Sequence, residues 1–570
     1  MMSINRTSML VNLKRMVRTA VVAVVAAAVV GCAQIPTSSA IQQGPNVQSG
    51  LSSDYLYYSP SGPSEGQDPK SVLAGFLNAA TGPQNDYAIA RQFLIPKLRT
   101  TWSPSTEVLI QQGALDVQVA ADNTATVTLG VSAKVDYDGH YFTEPANTKR
   151  VLKFTLVKTS GQWRISQAPD AVVMIRPVFD VIFHSYATYF FDHSYSYLVP
   201  DLRWFPARAS TATRLVTAVL NGPSKWLAPA LASPMPAATK LAIDAVTIDG
   251  STAVVNLNSS ALQATVAAKQ YFKAQLTATL VQLAGVSNVQ IQIERAPQAI
   301  AEYAPASAPH VGYAPVALLD GALTQLASPA GTQISGTKNL IRQVAATDFA
   351  VTHDTTILAL KSGSGIYKVQ LTADTPTPEL IDKRSDVLAP LFDSRGMLWT
   401  VPTDGKSSIQ VIPVSGQSHW FAPAWLANYQ LKAFAISPEG SRVAMVVVDK
   451  KQVTKVLVAA IVRDSLGIPQ AFGPALAVDG SAGVSLSVDW AGETGLIGLS
   501  SLPGESSSVD MLALGAPAKN IGTVAASTAV ITSDSGNNIF VLTKNASPLQ
   551  YRGYTWSVLA DRVAVAHMPD

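Results

Sequence analysis

Beyond residue 68 the apolar positions follow first a helical and then a strand period. Val72, Phe76, Leu77 and Ala80 share one face of a predicted helix, which Gly82-Pro83 ends. Tyr87, Ala90, Phe93 and Leu94 predict a second helix that Pro96 closes. The spacing then falls to two. Val117 and Val119 lead into Ala125, Val127 and Leu129, and Leu152, Phe154 and Leu156 alternate with Lys153, Thr155 and Val157, giving one wet face. Tyr137-Asp138-Gly139-His140 carries the Asp-Gly signal of a hairpin, and Gly161 to Ile165 reads as a turn feeding a last strand. Two helices before a curved antiparallel sheet predict an α+β domain, of NTF2-like or cystatin-like type, over 69–184.

A second α+β unit is expected over 185–296. Tyr189, Phe190 and Phe191, with Tyr195 and Tyr197, form an aromatic strand and turn. Thr211 is placed to cap a helix with Leu215, Val216, Val219 and Leu220 on its core face, and Gly222-Pro223 stops it. Strands flank Asp249-Gly250. A longer helix carries Leu276, Leu280 and Leu283 towards Gly285, and Val289, Ile291 and Ile293 alternate with polar residues on a closing strand.

Residues 297–315 repeat Ala-Pro and read as a linker. From 316 to 570 the chain is repetitive. Short turns near Val351, Phe392, Ile436, Val488 and Thr532 each precede a strand, and these positions are 41, 44, 52 and 44 residues apart. Units of about 40 to 50 residues with several strands each indicate a β-propeller. Five to seven blades are expected, with Leu318-Leu319-Asp320-Gly321 opening or completing one; a β-sandwich is the other architecture that spaced short strands allow.

The first 68 residues lack these periods. Arg6, Lys14, Arg15 and Arg18 precede Ala20 to Val30, a run of only Ala and Val, and Gly31 precedes Cys32, the single cysteine of the chain. Charge, short apolar run and small residue are the parts of a secretory signal over 1–31. A spanning helix needs about 20 apolar residues, and this run stops at Gly31. Val29-Val30-Gly31-Cys32 resembles a bacterial lipobox. The resemblance implies cleavage between Gly31 and Cys32, an S-diacylglycerol on the cysteine and an acyl group on its new amine. More than one acyl chain is what stable anchoring requires. Residues 32–68, rich in Ser, Gly, Gln and Pro, read as a flexible tether.

At 14% charged and 48% apolar, with 36 Gly and 35 Pro, the chain fits a turn-rich globular protein. The formal charge of +3 belongs to the leader, which holds four of the 41 cations and no anion; the remainder, 37 basic against 38 acidic residues, is near neutral. That leaves no electrostatic footprint for nucleic acid. With Cys32 acylated no thiol remains for a disulfide.

Catalytic patterns are sparse. His-Glu-x-x-His, Gly-x-Ser-x-Gly and cysteine clusters are missing. Gly405-Lys406-Ser407 ends like a phosphate-binding loop, but Thr400 stands where its first Gly belongs. Asp136-Tyr137-Asp138-Gly139 begins like a calcium loop but lacks the later ligands. His184 and His193 lie near Asp180 and Asp192 as a candidate polar site, and Trp204, Phe205 and Trp226 as a candidate aromatic one for a sugar or peptide, although aromatics at this density usually form core. No catalytic residue, metal or cofactor is assigned, and the chain is expected not to be an enzyme.

Three segments, Leu198-Val199-Pro200-Asp201-Leu202-Arg203-Trp204-Phe205-Pro206, Leu220-Asn221-Gly222-Pro223-Ser224 and Ile248-Asp249-Gly250 with Val255-Asn256-Leu257, resemble a GerMN domain. With the Cys32 leader before them and the repeats after, nearly the whole mature chain resembles the LpqB family of actinobacterial lipoproteins. The resemblance implies a lipid-anchored protein on the extracytoplasmic face of the cell membrane. It would bind the extracytoplasmic region of a sensor histidine kinase of MtrB type and tune two-component control of envelope and division genes. A cell-wall contact is a further expected partner. The other readings are a scaffold that binds an envelope polymer such as peptidoglycan, and an envelope hydrolase.

Overall fold

The computed structural model describes residues 60–569 except 146, 209, 308–313, 328–330, 479–482, 534–537 and 564. The expected signal segment, the expected lipobox with Val29, Val30, Gly31 and Cys32, and most of the expected tether therefore lie outside the described residues. The protein is multidomain and mainly β, with an α+β domain, a second α+β domain and an all-β C-terminal propeller.

In the first domain, α1 (Pro69–Ala79) starts where the Asp68 carboxylate accepts from the N–H groups of Lys70 and Ser71, and it buries Val72, Leu73, Phe76 and Leu77. The second helix, α2 (Ala88–Gln92), is shorter than expected. Pro96 does not close it but opens α3 (Pro96–Thr101), because proline lacks the N–H that a first turn leaves unpaired anyway. The sheet comprises β1 (Glu107–Val119), β2 (Thr124–Asp136), β3 (Tyr141–Thr143), β4 (Lys149–Thr159), β5 (Gln162–Gln167) and β6 (Val172–Ile175), in the order β5-β4-β2-β1-β6 with β3 beside β2. Bulges near Ile110 and between Gln112 and Asp116 bend it. Its inner face and the helices enclose one core around Phe76, Trp102, Val127 and Phe154. Fully burying a side chain of this size contributes about 1.5–3 kcal/mol.

Helix α4 (Arg176–Ile182) leads into β7 (Phe183–Asp192), which pairs antiparallel with β8 (Leu198–Pro206) and, at its far end, with β9 (Leu231–Ala232). Helix α5 (Thr211–Asn221) buries Leu215, Val216 and Val219 and ends at Gly222, whose φ is +92°. Its cap position is Ser210 rather than Thr211; the Thr211 hydroxyl donates back to the carbonyls of Pro206 and Arg208. A second sheet, β10 (Thr247–Asp249), β11 (Thr252–Leu257), β12 (Asn288–Ile293) and β13 (Ala296–Pro297), packs on α6 (Val266–Leu280). The Ala-Pro-rich segment after it stays attached: Tyr303 stacks edge-on against Tyr271, 4.8 Å between centroids, and the Ala306 N–H donates to the Ser196 carbonyl.

Six sheets over 316–333, 348–382, 391–421, 429–478, 484–525 and 527–558 form blades 1 to 6 among the described residues. Blade 1 takes its innermost strand, Ala566–His567, from the C-terminal end of the chain, paired with Val316–Leu319. Apolar clusters bridge every neighbouring pair. Leu340 and Phe349 sit between blades 1 and 2, Ala359 and Leu398 between 2 and 3, Trp399 and Met445 between 3 and 4, Val446 and Trp490 between 4 and 5, Leu499 and Val530 between 5 and 6, and Phe540 and Ala317 between 6 and 1. The ring is closed. Strand register aligns Trp490, not Val488, with Ile436 and Thr532, since Trp490 faces Leu496 as Ile436 faces Val443.

Candidate functional site

Two of the segments that resemble a GerMN domain, 198–206 and 220–224, converge on one buried ion pair. Asp201 and Arg203, both on β8 and almost fully buried, meet at 2.7 Å. The turn after α5 completes the pair: the Ser224 N–H donates to Asp201 at 2.7 Å, and Arg203 donates to the Gly222 carbonyl at 3.3 Å. Arg203 also reaches His140 of the first domain, whose ring lies 2.9 Å from Asp136. Burial pushes the Asp136 carboxyl up, but His140 more than offsets this, and the net displacement is downward.

The Asp-Gly hairpin is thus the contact point of two domains. Gly139 holds φ +83° and its carbonyl accepts from the Trp204 N–H at 2.7 Å. Asn221 donates to Asp138 at 3.0 Å, and Arg214 lies 4.4 Å from the centre of the Tyr137 ring. The Asp136 to Gly139 segment is a hairpin turn, not a cation loop.

Among the described residues, polar contacts join the propeller to the second domain at Arg395, Glu493 and Gly515. Arg395 pairs with the buried Asp192 at 2.8 Å, the Tyr189 hydroxyl donates to Glu493 at 3.0 Å, and the Trp204 indole donates to the Gly515 carbonyl at 2.7 Å. Burial, with Glu493 second, pushes the Tyr189 hydroxyl well above its usual range. Phe190, Val199, Leu227 and Leu231 pack with Ala460 of blade 4 beneath these contacts. Behind Arg395, Arg463 pairs with the buried Asp393 at 2.8 Å.

A channel of about 510 Å³ runs along the propeller axis between the innermost strands. Its wall contains Asp489, which accepts from the N–H groups of Trp490 at 2.9 Å and Thr532 at 2.8 Å and so links blades 5 and 6. Burial pushes this carboxyl up to about 6. Across the closure of the ring His567 meets Asp348 at 2.7 Å. Burial raises the Asp348 carboxyl, but the charge and hydrogen bond of His567 outweigh it and hold it low. A second cavity of about 480 Å³ continues the channel at the end where the inner strands begin, bordered by Leu388, Lys432, Ser501, Ser507, Thr528 and Lys544.

The other candidates from sequence do not assemble. Asp180 is held by Arg176 at 2.7 Å, Asp192 by Arg395, and His193 faces the Pro229 carbonyl, so the His184 and His193 region forms no single site. Trp204 packs with Phe179, Phe205 belongs to the second domain's core, and Trp226 packs beside Phe190 and Leu227. Gly405-Lys406-Ser407 is a tight turn in which Asp404 accepts from the N–H groups of Lys406 and Ser407, with no room for phosphate over Gly405, where the carbonyls of Tyr429 and Leu426 crowd in. Among the described residues no group of three or more His, Cys, Asp or Glu is arranged to hold a metal ion, and no helix is long and apolar enough to cross a membrane. The channel residues were not legible beforehand. They come from separate blades: Phe392, Ile436, Asp489 and Thr532 lie in segments that the repeat marks, but the repeat carries no sign that they face one axis.

Comparison with known proteins adds identity to this geometry. Residues 62–180 match the family described as lipoprotein LpqB, N-terminal domain; 187–299 match sporulation and spore germination; 321–569 match the lipoprotein LpqB beta-propeller domain. Lipoprotein LpqB of Cutibacterium acnes is 28% identical over 282 residues, 48% of this chain and 46% of that one. That of Rhodococcus jostii is 30% identical over 280 residues, 47% and 46%, and that of Corynebacterium diphtheriae 31% over 229 residues, 38% of each. The aligned part is thus less than half the length of each of these relatives. With three matched segments in one order, two of them particular to these lipoproteins, the chain belongs to the LpqB lipoprotein family.

Proposed function

We propose that this protein is a lipid-anchored, non-enzymatic docking platform on the outer face of the cell membrane, and that it binds the extracytoplasmic region of a sensor histidine kinase. The order of matched families, with Cys32 ahead of them, carries this reading. The physical route is short. Acyl chains on Cys32 confine the protein to the plane of the kinase and raise its effective concentration. A body that prefers one conformation of the sensor shifts the kinase equilibrium by its difference in affinity for the two. The joined domains support such a role, because a body stiffened by Arg395–Asp192 and Tyr189–Glu493 loses less order on binding than three loose modules would.

Cross-linking in intact membranes, followed by mass spectrometry of the captured partner, tests the reading. A sensor kinase is the expected capture; consistent recovery of cell-wall glycan instead would replace it with the polymer-scaffold reading. Cys32→Ser is expected to move the protein from the membrane fraction to the soluble fraction and to abolish the cross-link. Retention of that variant in the membrane would count against the lipid anchor.

A further inference from the structure

The propeller channel has two unlike ends. The inner strands Tyr429–Ile436, Val484–Ala491 and Ser527–Thr532 all run from the smaller cavity towards the second domain. Arg395 and Glu493 follow the ends of inner strands, and Gly515 follows the end of a third strand, so the polar contacts with the second domain described above land at one end only. The opposite mouth carries Lys432 and Lys544, both exposed, and neither ammonium has a carboxylate partner among the described residues. Lys361 stands on the channel wall nearby and donates to the Val387 carbonyl at 2.6 Å. Ser501 and Ser507 add hydroxyls to the same lining, while those of Ser527 and Thr528 already donate to the carbonyls of Ala525 and Leu542, and Leu388, Leu431 and Leu486 form apolar wall. Lys432, Leu388, Leu486 and Thr528 border both cavities, so the mouth opens into the axial channel.

We infer that this mouth is a binding site for an oxyanion, a phosphate or a carboxylate, whose carrier group extends into the channel. Two unpaired ammoniums over apolar walls focus a positive potential into the opening. Charge-assisted hydrogen bonds from lysine and hydroxyl donors suit an oxyanion with several acceptor atoms. The axial channel behind it, of about 510 Å³, falls in the size range of small-molecule sites.

The test uses the full chain in detergent, with inorganic phosphate and carboxyl-labelled acetate as separate probes read by ligand NMR line broadening. Saturable broadening of either is expected. Phosphate alone assigns a phosphate ligand, and acetate alone a carboxylate. Lys432→Ala with Lys544→Ala is expected to weaken binding about tenfold or more, the loss of one or two charge-assisted contacts. Lys149→Ala with Lys158→Ala, which removes the same charge from exposed positions on β4, is expected to leave it unchanged. The inference is overturned if neither probe broadens, or if the control pair loses as much as the mouth pair.

Discussion

Asp489 shows how one side chain makes the propeller sensitive to acidity. Its carboxyl sits between blades 5 and 6, takes two backbone N–H groups and is pushed up to about 6 by burial. A folded-state value above the usual 3.8 means that folding takes up a proton. The contribution is therefore full below about pH 4, falls as pH rises through about 6, and stays lost above it. The shift corresponds to about 2–3 kcal/mol. Asp489→Asn removes the titration, so the stability of the parent relative to this variant should fall across that window in denaturant melts. A difference that is flat between about pH 4 and 7 would refute the assignment. Nothing in the local sequence marks this behaviour: Val488-Asp489-Trp490 is visible as a repeat unit, but the N–H of Thr532 that turns its aspartate into a bridge lies on the next blade.

At the scale of elements, the hairpin 137–140 is the hinge-pin of the first two domains. A Cβ on Gly139 would lie 2.9 Å from the Phe205 ring and 3.0 Å from the Trp204 nitrogen. Gly161 has a similar φ of +80° with open space around it. Left-handed strain of about 1–3 kcal/mol is common to both positions. Gly139→Ala should therefore destabilise by clearly more than Gly161→Ala, as equilibrium unfolding midpoints would show; equal losses would mean that the domain contact yields freely. The hairpin itself was legible from Asp138-Gly139, and so were α1, from Val72, Phe76 and Leu77, and the alternation in β4, because each is a local matter of period and turn chemistry. Pro96 was misread because proline is equally at home ending one helix and beginning another, and only the bridge of Leu94 to Ile165 decides between them. The two-residue shift at Trp490 has a similar origin. Val488 and Trp490 share a face of the strand, and the partner Leu496 settles which one is equivalent to Ile436.

For the whole molecule, what matters is that the domains are locked by a few polar contacts over a small apolar patch. Arg395→Ala with Tyr189→Phe removes two of these contacts while keeping the ring of residue 189 in place. The expected result is an increase in radius of gyration by small-angle scattering and faster proteolysis of the 296–316 segment. An unchanged scattering profile would mean that the patch of Phe190, Val199, Leu231 and Ala460, with the Trp204–Gly515 hydrogen bond, suffices to hold the joint. Sequence predicted the domain types but not how they join, because a pairing such as Asp192 with Arg395 spans about 200 positions and leaves no local trace.

The strand at Ala566–His567 imposes an order of events on folding. Blade 1 has three strands near the middle of the chain and its fourth at the far end. A chain folding from its N-terminal side therefore holds blades 2 to 6 in an open arc, with blade 1 unfinished, until residues 566–567 arrive. Until then the strand Val316–Leu319 presents an unpaired edge to its surroundings. A nascent chain paused before that point would be vulnerable to clumping and to digestion.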